Sequence, residues 1–231
     1  MPWPLVVLPG GTGVSCEKMN FFGFDTNDHT GAEVSAAVPS LKRSLLTGSL
    51  GFCLASMCVF ATVAFAERWM YSRLGLFGSY LAWTALFILL GGGALSSLVI
   101  NSRERVFRFY LLFGLAFLAY AIGWMGAYFT LRGAAGEWVG SLAGSVLMGL
   151  VFAAAFGVLR SALNLSAMLL IANSGGYFLG SALNDMVRGK MGMMLWGTIY
   201  GLCLGAGLGA VLHFAQAWRA SESRRHTPTS V

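Results

Sequence analysis

A chain of 231 residues in which 57% are hydrophobic and only 10% are charged cannot clothe itself in the surface of a soluble domain, where about a quarter of residues carry charge. Its net charge of +6 is scattered over short breaks between apolar runs, where basic groups meet anionic headgroups; a nucleic-acid partner is not needed to explain it. The cysteines form no CxxC pair and the histidines are far apart in sequence, so neither a metal centre nor a disulfide framework is expected.

Residues 1–43 have no periodic apolar positions and little charge, and read as a disordered or loosely ordered tail. Met1 to Val7 lacks the charged n-region of a secretory signal. Gly13-Val14-Ser15-Cys16 carries glycine where a lipoprotein box needs a branched apolar residue, and Met19 is an alternative start. Six apolar runs follow, at Ser44 to Ala66, Leu74 to Ile100, Phe109 to Leu131, Trp138 to Leu159, Leu163 to Leu183 and Met191 to Phe214. Each can cross a hydrocarbon core of about 30 Å, which takes about 20 helical residues. Backbone in lipid must satisfy its own hydrogen bonds, so these runs are helices; the alternating segments of about 10 residues that a barrel requires are absent from the pattern. The expectation is an all-α, polytopic integral membrane protein of six transmembrane helices, with halves at 44–131 and 138–214 and a C-terminal tail at 215–231.

Lys and Arg beside spans resist translocation. One set of loops and tails holds Lys18, Lys42, Arg43, Arg103, Arg105, Arg108, Arg160, Arg219, Arg224 and Arg225; the opposite set holds Arg68, Arg73, Arg132, Arg188 and Lys190. Both termini are therefore expected in the cytoplasm, with the chain in the cell (inner) membrane.

Glycine runs interrupt the second and fifth apolar stretches, at Gly91-Gly92-Gly93 and at Asn173-Ser174-Gly175-Gly176. Sliding the chain against itself by 83 positions lays Gly92, Gly93, Asn101 and Arg105 on Gly175, Gly176, Asn184 and Arg188. With three spans per copy the second half would be inverted, a 3+3 arrangement in which broken helices near the midplane carry a site. Two readings of the glycines follow: close backbone packing, or a break that turns carbonyls and the Asn173 amide toward a pore or substrate. Asn101 and Arg105, with Asn184 and Arg188, then act as matched gates or loop anchors. The fifth run is also the least apolar, with Asn164, Ser166, Asn173, Ser174 and Ser181, and is expected to be the most shielded from lipid.

The sixth run carries Gly197, Gly201, Gly205 and Gly209 at four-residue spacing, a flat stripe for close helix contact. Gly140 and Gly144 begin the same pattern in the fourth run, which makes it one candidate mate. No Asp, Glu, Lys or Arg lies inside a run, where energised carriers usually place them. Of the histidines only His213 is near a span, at a place suited to the interface. No HExxH, GxSxG or Walker loop occurs, so no catalytic residue, metal or cofactor is expected.

The run Leu74-Gly75-Leu76-Phe77-Gly78, then Gly91-Gly92-Gly93, with Gly175-Gly176 in the second half, resembles prokaryotic trimeric cation channels of the TRIC type. That resemblance implies inverted three-helix repeats whose glycine-broken helices line a pore in each protomer. The chain departs from the family pattern: Ser96-Ser97 and Gly180-Ser181 stand where Arg-Asp would follow each glycine run, and a seventh helix has no counterpart. Membership is not claimed on two short segments.

The expected function is passive permeation or facilitated transport of a small solute or ion, lined by Gly91, Gly92, Gly93, Asn173, Ser174, Gly175 and Gly176. The alternative is a non-catalytic structural or assembly subunit, its glycine stripe serving as a docking surface. The expected partners are the lipid bilayer and a second copy or a membrane complex.

Overall fold

The computed structural model describes residues 38–99 and 103–226, without the side chains of 103–105 and 222–226. The tail features at Cys16 and Met19 and the anchor Asn101 lie outside the described residues, as does the Arg105 side chain. Every regular element among the described residues is helical: α1 (Leu41–Leu86), a π-helical turn (Phe87–Gly91), α2 (Gly92–Ser96), α3 (Arg103–Leu131), α4 (Gly133–Ala155), a 3-10 turn (Leu159–Ser161), α5 (Ala162–Val187) and α6 (Gly189–His226). Among the described residues five helical segments are long and apolar enough to cross a membrane, α1 being counted together with its continuation to Ser96. The chain is thus a multi-pass membrane protein in length and composition.

Ser40 starts α1 by accepting the Arg43 backbone N–H on its hydroxyl at 3.3 Å, one of the orphan donors at a helix start. At 46 residues a straight α1 would be about 69 Å long, more than twice the thickness of a hydrocarbon core. It is not straight, because Gly75 has φ 68° and ψ −177°, a combination that only glycine adopts readily. Beyond Gly75 the chain returns along itself. The Trp83 indole N–H donates to the Thr62 hydroxyl at 3.0 Å across 21 residues, which a straight helix would hold about 31 Å apart, and the Phe52 and Phe87 rings stack at 5.6 Å.

The same backbone device recurs at Arg132 (φ 54°, ψ 166°) and Arg188 (φ 57°, ψ 167°), each followed by a positive-φ glycine, Gly133 or Gly189. The flanking hydrogen bonds also repeat. Arg132 N–H donates to Tyr128 C=O at 2.8 Å and Arg188 N–H to Asn184 C=O at 2.7 Å; Gly136 and Gly192 N–H then donate back to the two arginine carbonyls at 3.2 and 3.3 Å. What recurs in the backbone is therefore a two-helix hairpin, turned at Gly75, Arg132 and Arg188. The pairs matched at 83 positions sit in unlike surroundings: Gly92 lies against Tyr110, whereas its match Gly175 has open space around it, and the π-helical turn that precedes Gly92 has no counterpart in α5, which runs unbroken through Asn173–Gly176.

Neighbouring segments close a ring. The first limb of α1 lies along α6, α6 along α5, α5 along α4, α4 along α3, and the second limb with α2 fills the gap between α3 and the first limb. Its middle is filled by aromatic rings: Phe87 meets Phe117 at 5.3 Å, Phe117 meets Tyr120 at 5.6 Å, and Phe87 meets Tyr200 at 6.3 Å. Phe52 and Phe117 there are buried.

Two packing expectations change. The fifth run is not the most shielded: 28% of the apolar stretch of α5 is buried, against 56% for α6. Of its polar groups Ser166 and Asn173 are buried and Ser174 reaches Ser141 of α4, whereas Asn164 is exposed, and Leu163, Ile171, Leu179 and Met186 face outward. The mate of the α6 glycine stripe is α1 rather than α4. A Cβ on Gly201 would come within 2.6 Å of Ser56 Cβ and 2.7 Å of Cys53 Cα, one on Gly197 within 2.6 Å of Phe60 Cβ, and those on Gly205 and Gly209 would meet the carbonyls of Gly48 and Ser44. Such close backbone approach also lets the Ser56 hydroxyl donate to Gly197 C=O at 2.7 Å and that of Ser49 to Leu202 C=O at 2.8 Å. Gly140 and Gly144 receive α3 instead, under Trp124 and Tyr120.

Candidate functional site

The polar residues in the middle of the bundle converge on Asn173. It stands on α5, 1% exposed, within an unbroken helix rather than at a break. Its Oδ1 accepts the Tyr120 hydroxyl from α3 at 2.8 Å and the Tyr200 hydroxyl from α6 at 3.2 Å, and the two hydroxyls lie 3.2 Å apart. Its Nδ2 donates to Ser141 Oγ on α4 at 2.6 Å, and Ser141 Oγ lies 2.9 Å from Ser174 Oγ. One amide thereby joins four helices. A bare amide in hydrocarbon is costly, so this position holds its residue only because three other helices supply partners.

The tyrosines fit because glycines make room. A Cβ on Gly144 would fall 2.7 Å from Tyr120 Cδ2, and one on Gly176 would fall 3.1 Å from Tyr200 Cα. Trp124 and Trp196 lie over Gly140 and Gly180 in the same manner, one helical turn from the respective tyrosines.

The residues expected to line a pore are placed as follows. Gly91 seats the buried Phe52 ring, and Gly92 and Gly93 seat Tyr110, whose hydroxyl donates to Leu89 C=O at 3.2 Å beside the π-helical turn. Gly176 lies under Tyr200 and Cys203, whereas Gly175 faces open space on the outside of α5. Ser174 is half-buried and joins Asn173 through Ser141. Asn184 and Arg188 build the α5–α6 turn, where Arg188 Nε donates to Asp185 C=O at 3.3 Å. His213 is part-buried, with Nδ1 2.8 Å from Pro39 C=O, and so ties the entry of α1 to α6.

Tyr120, Tyr200 and Ser141 were not singled out by sequence reasoning. A signal was available: amphipathic rings favour the headgroup layer, so a tyrosine at mid-span has to find a buried partner for its hydroxyl. On the lipid-facing side, Trp138, Val139 and Leu142 of α4 and Leu170, Ile171 and Ser174 of α5 border an open groove of about 430 Å³. The Trp138 ring stacks on Phe178 at 4.1 Å and forms one wall.

Comparison with protein-family models, with curated proteins and with solved structures finds no match to this chain.

Proposed function

We propose that this chain is a non-catalytic structural or assembly subunit of a membrane complex, a six-crossing protein of the inner membrane with both termini cytoplasmic and with a second copy or another membrane protein as partner. The observation that carries this reading is the state of Asn173: its carbonyl and amide ends are both bonded to side chains of other helices, so the residue acts as a rivet. The aromatic filling of the ring supports the same reading, as does the use of the hairpin turns to set consecutive crossings side by side. The halves 44–131 and 138–214 then serve as one packed body.

Passive permeation through the middle would require Asn173 to leave these partners and meet water. Asn173→Cys in a background lacking Cys16, Cys53, Cys58 and Cys203, treated with a membrane-impermeant thiol reagent from each side in turn, separates the two. No labelling is expected; labelling from either side restores the permeation reading. Gly133→Cys, on an exposed hairpin turn, is expected to react only from the outer side, and reaction from the cytoplasmic side would invert the topology.

A further inference from the structure

We draw no further inference here: the strongest candidate, the side-chain cluster at the hairpin-turn end of the bundle where Tyr177 of α5 meets Trp124 of α3 and Trp196 of α6 at ring-centroid distances of 5.9 and 5.4 Å beside Glu137 of α4, carries nothing, because its rings pack on one another and nothing among the described residues shows a space between them or what would fill it.

Discussion

Replacing Asn173 by leucine keeps the volume and removes three hydrogen bonds, at 2.8, 3.2 and 2.6 Å. Interhelical hydrogen bonds in membrane proteins are worth about 0.6 kcal/mol on average and at most about 1.7, so the loss is about 2 kcal/mol, with an upper bound of about 5. Tyr120 and Tyr200 can still bond each other at 3.2 Å, which leaves one hydroxyl proton unpaired in a dry core. Removing that orphan as well should recover stability, because deleting both partners of a buried bond costs less than deleting one. The triple variant Tyr120→Phe, Tyr200→Phe, Asn173→Leu is therefore expected to unfold with a free energy nearer to wild type than Asn173→Leu alone. Steric-trapping or denaturant unfolding in bicelles measures both. Equal stability of wild type and Asn173→Leu, or a triple variant weaker than the single one, would refute the rivet.

The α6 stripe predicts that Gly201→Ala, whose Cβ would meet Ser56 and Cys53 of α1 at 2.6 and 2.7 Å, costs about 1–3 kcal/mol by overpacking; Gly175→Ala, with open space around it, should be neutral or raise the melting temperature, since alanine is the better helix former by about 1 kcal/mol. At the hairpin turns, Arg188→Gly should stabilise by about 1 kcal/mol or more through relief of a backbone conformation reserved for glycine, and an unchanged unfolding midpoint would count against the turn geometry. Gly75→Ala should destabilise by about 1–3 kcal/mol for the same reason, read in the same unfolding assay. Gly91→Leu, which displaces the Phe52 ring from its seat, should lower thermal stability in detergent more than Leu90→Gly at the neighbouring exposed position.

How much of this was legible in the sequence depended on the kind of force involved. The apolar runs and their polar breaks marked the membrane helices, because hydrocarbon permits only self-satisfied backbone; the Arg132-Gly133 and Arg188-Gly189 breaks fell where the hairpins turn. Gly75 stood one residue inside the second apolar run, in Leu74-Gly75-Leu76-Phe77-Gly78, with nothing local to say that its φ is positive. The expectation for the fifth run failed for a related reason. Polarity of a whole span says how much must be shielded, whereas Ser166 and Asn173 need only one narrow face of α5 and leave the rest to lipid. The choice of α1 as mate for Gly197, Gly201, Gly205 and Gly209 was also hidden, because lipid tails are as apolar as leucine and composition cannot tell a buried face from a lipid-facing one. Composition and run length thus determined an all-helical membrane chain, while the tertiary structure alone decided which glycine faces which ring and where the Asn173 amide finds its partners, because those depend on contacts between helices that lie far apart in sequence.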